Sequence, residues 1–333
     1  MKHFVKCTIL FLFPIFLLAY PIDLYISNYL KKSNDYFGEF EVWNAIYDNK
    51  INTDIAIYGS SRAWVGIDPQ ILADTLHTSV YNLGIDGHNF WLQYLRHLEY
   101  LKNNKAPKQI ILAVDFGSLQ KRKDLYLYEQ FLPYMLWNNN VTQYTKSYIG
   151  YSYFDYYIPL VRYIGKSSVL KNTLKTILKE KEIPSYRSLG YKGVAKEWTN
   201  EFELARTKMK NYTVEINAAS VDLLNTFLSD CKKNNVDVIL VYTPEYIDGQ
   251  KFIKNRQEVI DIYKTYAKKY ESLFLDYSKN KINYNKQYFY NATHLNKRGS
   301  NLFSKILAHD LLKSQEKTPS SNLNKTSCAI IIN

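Results

Sequence analysis

The sequence has little of what several large function classes require. Its three cysteines, Cys7, Cys231 and Cys328, stand far apart without metal-ligand spacing, so neither a zinc site nor a disulfide framework is expected. It has no G-x-G-x-x-G and no Walker-type phosphate loop. Its Gly59-Ser60-Ser61-Arg62 turn is too short to cradle a nucleotide phosphate. No cofactor and no metal are expected. Acidic residues are in the minority, 31 Asp and Glu against 43 Lys and Arg, which leaves a formal charge of +12. The basic residues are spread along the chain and form no nucleic-acid motif. The charge therefore points to an anionic neighbourhood, a membrane face or an acidic polymer, and not to nucleic acid. Internal repeats are absent.

What is present is ample apolar content (46%), ordinary charge content (22%) and many aromatics, including 31 Tyr and 5 Trp. The first two describe a globular chain with room for one large domain or two small ones. The tyrosines fit either a coding bias or a surface that stacks on sugar rings. At the N-terminus, Lys2 and Lys6 precede an uncharged apolar run, Thr8–Ile22. Such a run is a signal-peptide core or a short membrane anchor. With no clear small-x-small cleavage site near Leu18-Ala19-Tyr20, the reading is an uncleaved anchor over 1–27. The N-terminus is then cytoplasmic, the partner is the bacterial cytoplasmic membrane, and the body lies in the periplasm or is secreted if the segment is cleaved. Residues 28–52 read as a polar and aromatic linker.

Residues 53–313 read as one α/β domain. Apolar runs at Ile55–Tyr58, Ser79–Leu83, Lys108–Val114, Val236–Tyr242 and Ser272–Leu275 are short strands, and most are separated by helical periodicity. That order predicts a doubly wound, five-stranded parallel sheet. Pro69–Leu76 opens as a helix capped by Asp68, and Phe90–Leu101, Val214–Asn234, Gln250–Tyr270 and Ser300–Lys313 are helical. Residues 118–212 interrupt the alternation. They are aromatic (YLYEQFLPYMLW and YSYFDYYIPLVRY), and a structureless loop of that length is improbable. A mainly helical insertion that packs over the edge or mouth of the sheet is expected. Residues 314–333 read as a disordered tail.

In such a sheet the loops after the strands converge on one edge, where ligands bind. That brings Ser61, after the first strand, toward His294, before the last helix. A serine hydroxyl is a weak nucleophile at neutral pH and needs a base held by a third group; alternatively, His294 simply caps the helix. Arg62 is a candidate for binding an anionic substrate or for an ion pair with Asp115 or Asp68. Asn89 is an oxyanion donor or a helix N-cap. Asp115 and Glu245 sit at strand ends on the same edge as further substrate-binding candidates.

Gly59-Ser60-Ser61, Gly87 after the second strand, and His294-Leu295-Asn296 before the final helix resemble the SGNH/GDSL hydrolase superfamily. The similarity is greatest to its alginate acetyltransferase-like branch from bacterial envelope and exopolysaccharide loci. It spans about 54–119 and 236–312. The resemblance implies a flavodoxin-like fold, Ser61 as nucleophile, His294 as base, and the Ser61 and Gly87 N–H groups as oxyanion donors. Ser60 stands where the family usually has Asp. Asn291 stands where its triad acid lies, three residues before the histidine, and would orient the imidazole without stabilising the imidazolium by charge. The family's Gly-x-Asn-Asp falls near Asp115-Phe116-Gly117-Ser118, so its side-chain oxyanion donor is missing.

Two readings follow. One is an exported serine esterase or O-acyltransferase, transferring acetyl groups on an acylated cell-surface polysaccharide or from another acyl donor. The other is a catalytically weak or inactive member of the fold that binds glycan in a polysaccharide biosynthesis or export system.

Overall fold

The structure is a computed structural model and describes residues 1–33, 35–178 and 184–316. Helix α1 (Lys2–Leu30) and helix α2 (Glu39–Tyr47) precede the sheet. Then follow β1 (Ile55–Tyr58), α3 (Ser61–Gly66), α4 (Pro69–Leu76), β2 (Val80–Asn82), α5 (Phe90–Asn103) and β3 (Gln109–Val114). Among its described residues the insertion carries the α-helices α6 (Asn139–Thr145), α7 (Tyr153–Tyr157), α8 (Ser167–Leu178) and α9 (Glu201–Lys208). The alternation resumes with α10 (Ala218–Lys233), β4 (Asp237–Tyr242), α11 (Ile247–Phe252), α12 (Arg256–Tyr270), β5 (Leu273–Asp276) and α13 (Lys297–Glu316).

The five strands are all parallel in the order β2-β1-β3-β4-β5, the flavodoxin-like arrangement whose strand ends bound a ligand crevice. Because strand side chains alternate, Ile55 and Ile57 face one apolar cluster, shared with Leu72 of α4 and Phe303 and Leu307 of α13. Ala56 and Tyr58 face the other, shared with Leu92 and Leu95 of α5 and Leu224 and Phe227 of α10. Both faces are covered, which is why the strands read as unbroken apolar runs.

The linker expected over 28–52 is replaced by folded structure. Phe40, Val42, Trp43 and Ile46 of α2 are in the core, and Glu39 is fully buried between Arg96 and Arg187. Their helical spacing is an inward stripe that the surrounding polar residues mask. The helix expected over Gln250–Tyr270 is two, broken at Ile253–Asn255, where Asn255 turns back to bond Val214. Of the tail, Ser314–Glu316 continue α13; residues 317–333, with Cys328, lie outside the described residues.

Helix α1 has two parts. Through Tyr25 its described large apolar side chains are exposed, Phe4, Phe11 and Leu18 among them. From Asp23 onward it joins the body: Asp23 is buried against Arg162 at 2.5 Å, and the Ser27 hydroxyl meets the Tyr163 hydroxyl at 2.7 Å. Among the described residues no helix is long and apolar enough to cross a membrane.

Candidate active site

The turn after β1 is shaped by Gly59. Its φ of +150° is disfavoured for a side-chain-bearing residue, and a Cβ there would lie 2.7 Å from the Ala63 Cβ and 2.8 Å from the Ala113 carbonyl. The chain then enters α3 with Ser60 as N-cap, its hydroxyl accepting from the Arg62 N–H and donating to Asp115 Oδ2 at 2.7 Å. Ser61 is therefore the first helical residue. Its N–H has no partner within the helix, and its side chain stands at the strand-end edge.

There the Ser61 hydroxyl lies 2.8 Å from His294 Nε2. On the other side of the ring, Nδ1 lies 3.0 Å from Asn291 Oδ1 and 2.9 Å from the Thr293 hydroxyl. Asn291 Oδ1 also accepts the N–H groups of Thr293 and His294, at 3.1 and 3.0 Å. The Asn291 amide nitrogen donates to Glu201 Oε2 at 2.8 Å. These contacts fix which way the amide faces. An acceptor thus stands against Nδ1, which places the proton there and leaves the Nε2 lone pair for the Ser61 hydroxyl. The Tyr290 ring stacks on the imidazole, centroids 5.3 Å apart. Burial, together with the positive charge of Arg62, pushes His294 down to about 4, against an upward pull from Asp115. The imidazole is consequently neutral at neutral pH, the state a general base needs.

Ser61, Gly87, Asn89, Asp115, Phe116, Thr293 and His294 line one cavity of about 260 Å³. The expected cap role of Asn89 is absent: it stands at the N-cap of α5 without a side-chain cap bond. The residue is 8% exposed and lines the cavity, and its side-chain amide bonds to no described residue, leaving its donors available there. Gly87 holds φ +69°, and a Cβ would lie 2.1 Å from the Tyr126 ring, which covers it. The Gly87 N–H engages the Asp86 carboxyl, which burial and the nearby Glu39 push up to about 6.

Arg62 and Glu245 are not free to bind substrate. Arg62 is buried and pairs with Glu245 at 2.5 Å, and it also donates to the carbonyls of Thr243 and Pro244. Arg256 holds the second Glu245 oxygen at 3.1 Å. The expected partners Asp115 and Asp68 are otherwise engaged: Asp115 with Ser60 and the Gly117 N–H, Asp68 as the cap of α4. The ion pair braces α3 against the end of β4, and Asp115 braces Ser60, so all three serve the shape of the nucleophile turn. Asn291 lines a second, more apolar cavity of about 300 Å³ next to the first, formed by Phe116, Phe202, Tyr212, Phe252 and Thr293 among others. Among the described residues no group of His, Cys, Asp and Glu is gathered as a metal cage would require.

Glu201, Thr293 and Tyr290 escaped the sequence reading, as did Glu39, which accepts the Asp86 N–H at 2.9 Å and so holds the loop carrying Gly87. Thr293 and Tyr290 are neighbours of His294 and could have been weighed with it. Glu201 lies 90 positions from Asn291, inside the insertion, with no local pattern to mark it.

No protein-family model matches the chain, and no curated protein matches it. Similar solved structures include a GDSL-like lipase from Bacteroides thetaiotaomicron VPI-5482, with 14% identity over 83% of this chain and 97% of that one and a TM-score of 0.37. An acetyl xylan esterase, AlAXEase, has 12% identity over 78% of this chain and 98% of that one, with a TM-score of 0.38.

Proposed function

We propose that this chain is a serine-dependent acyl-ester enzyme. The observation that carries the reading is the Ser61 hydroxyl 2.8 Å from a His294 nitrogen whose ring is held from behind by Asn291. Ser61 Oγ attacks the ester carbonyl as His294 Nε2 takes its proton. The Asn89 amide and the Ser61 N–H stand on the cavity to receive the developing oxyanion, with the Gly87 N–H as a third donor once it leaves Asp86. Collapse expels the alcohol, which takes the proton from Nε2, and leaves an acyl-Ser61. A second hydroxyl, from water or a glycan, then gives its proton to Nε2 and takes the acyl group, and the departing Ser61 Oγ takes that proton back from Nε2. Acetyl as the acyl group and a cell-surface or exopolysaccharide acceptor fit the net charge of +12 and the aromatic insertion. In this reading the exposed apolar half of α1 anchors the chain at the bacterial cytoplasmic membrane, with the body on the outer side.

Turnover of p-nitrophenyl acetate tests the proposal. Ser61→Ala and His294→Ala should each lower the rate by roughly three orders of magnitude or more. Equal rates in both variants and the unmodified chain would overturn it. The rate should stay level from about pH 7 to 5 and fall as pH drops through about 4, since His294 is pushed down to about 4.

One observation favours a second reading, a non-catalytic glycan-binding protein: the group behind His294 is a neutral amide. A fluorophosphonate probe separates the two. Labelling of Ser61 in the folded chain supports the enzyme, and retention of glycan without labelling supports the binder.

A further inference from the structure

The insertion carries an apolar surface that the acyl-transfer reading does not use. Trp137 is 55% exposed, Tyr153 70%, Phe154 57% and Ile164 73%, and along α8 Leu174 is 54% exposed and Leu178 72%. These side chains surround one place. Trp137 packs on Tyr20 of α1 with ring centroids 5.2 Å apart, and its indole N–H donates to the Tyr157 carbonyl at 3.0 Å. Tyr157 in turn packs on Tyr153, centroids 4.7 Å apart. Ile164 follows Arg162 and Tyr163, the two residues that hold Asp23 and Ser27 of α1. Helix α8 packs directly on α1, turning Val169 and Thr173 inward and leaving the Leu174–Leu178 edge outside. The patch thus flanks α1 near Tyr20–Ser27, where its exposed half meets the body.

We infer that this patch is a membrane-seating surface, through which the insertion lies on the headgroup boundary of an anionic bilayer beside the point where α1 leaves the protein. The inference rests on the membrane placement of α1 proposed above and is independent of the acyl chemistry. Three features select lipid as the occupant. The patch is continuous with the exposed apolar side chains described on α1, Leu17, Leu18, Tyr20 and Ile22 among them. Its composition is that of a membrane interface, Trp and Tyr with Leu and Ile. Among the described residues, exposed Lys171 and Lys175 of α8 flank Leu174, whereas the acidic Asp155 beside Phe154 is buried and spent capping α7. Lysines near an anionic leaflet add electrostatic attraction to it. Seating would fix the height and tilt of the strand-end edge over the membrane.

The test uses the full chain with Cys7→Ser and Cys328→Ser, so that an added cysteine carries an environment-sensitive dye; Cys231 is buried. Single sites are Phe154→Cys and Leu174→Cys, with Lys305→Cys on α13, across the sheet, as control. Each is mixed with phosphatidylethanolamine–phosphatidylglycerol vesicles containing acyl-chain nitroxide lipid. Dye at 154 and 174 should shift to the blue and be quenched at least twofold more than at 305. Vesicle binding with all three dyes equally aqueous would overturn the seating surface and leave the α1 anchor standing. Failure to bind vesicles would overturn both. A blue shift that depends on protein concentration and not on vesicles would assign the patch to a second copy of the chain and overturn the proposal. The acyl-ester reading survives every one of these outcomes.

Discussion

The sheet and the segment inserted into it are held by different means. Around the sheet, Ser61 and His294 are carried by elements that owe their position to backbone ladders and to apolar burial on both faces. That attraction is non-directional and shared among many side chains. The insertion and the N-terminal helices share that apolar burial, Phe40, Trp43, Phe131 and Tyr156 among it, and are pinned in addition at a few buried charges. Arg162 reaches Asp23 at 2.5 Å, and Glu39 lies between Arg96 and Arg187, with Arg187 at 2.7 Å. Each guanidinium of the second cluster lies over an indole, Arg96 on Trp43 and Arg187 on Trp64, at 4.4 and 4.3 Å. The difference predicts unequal tolerance: small apolar losses in the sheet are diluted, while one lost charge in the insertion strands its partners.

The widest gap is expected on opening the second cluster. Burial raises the Glu39 pKa, but Arg187, Arg96 and the Asp86 N–H overcome it and hold the carboxyl down to about 2. Glu39→Gln leaves two buried guanidiniums without a counter-charge, a loss of roughly 3–5 kcal/mol. Ile111→Val in the centre of the sheet should cost roughly 0.5–1.5 kcal/mol. Urea unfolding midpoints compare them, and a smaller shift for Glu39→Gln than for Ile111→Val would break the distinction. The pH dependence has the same sign. A carboxyl held below its unfolded pKa stabilises the fold above that value, and the stability is lost as pH falls from about 4.5 toward 2.

A functional version of the comparison lies at Asn89, where the sheet side of the site supplies a cavity-lining amide with no partner among the described residues. Asn89→Ala should lower kcat on p-nitrophenyl acetate by roughly a hundredfold or more with KM little changed, since the donor acts on charge that develops in the transition state. Because no protein bond is lost, the unfolding midpoint should hardly move. A large midpoint shift with kcat intact would return Asn89 to a structural role.

The same division decides what the sequence disclosed. The five strands, the Gly59 turn and the Asp68 cap were legible because apolar runs and cap residues act over a few positions. Ser61 and His294 were legible because strand ends converge on one edge whatever the loops contain. The ion pairs were not: Arg162 and Asp23 are 139 positions apart, and Arg187 and Glu39 are 148 apart. A charge in a polar segment also carries no mark of its burial. Reading 28–52 as a linker failed for this reason, since Glu39, the residue that makes the segment look solvated, is one of its most buried. Arg62 gave a subtler case: the ion pair was anticipated, but its partner is Glu245, reached only once β4 is beside β3.

The smallest effect is expected where the two regions meet, at Asn291. Judged from the loop alone, Asn291→Asp restores a charge behind the imidazole and should help greatly, because the reverse change in a serine protease costs roughly four orders of magnitude. The insertion alters that expectation. Asn291 Nδ2 donates to Glu201 Oε2 at 2.8 Å, so a carboxylate at 291 would set two acidic oxygens where an amide and an acid now pair. Carboxylates that close do not both ionise; they share a proton, and the charge meant for His294 is largely cancelled. Asn291→Asp alone should therefore change kcat by less than roughly tenfold at pH 7. Glu201→Gln alone should also change it little, since the new amide oxygen can still accept from Asn291. Together the two changes let the amide at 201 donate to the carboxylate at 291, leaving that charge free to face the imidazole, and kcat should exceed both single variants. A hundredfold gain from Asn291→Asp alone would show that Glu201 does not reach the site in solution, and that the insertion leaves the charge of the site to the sheet.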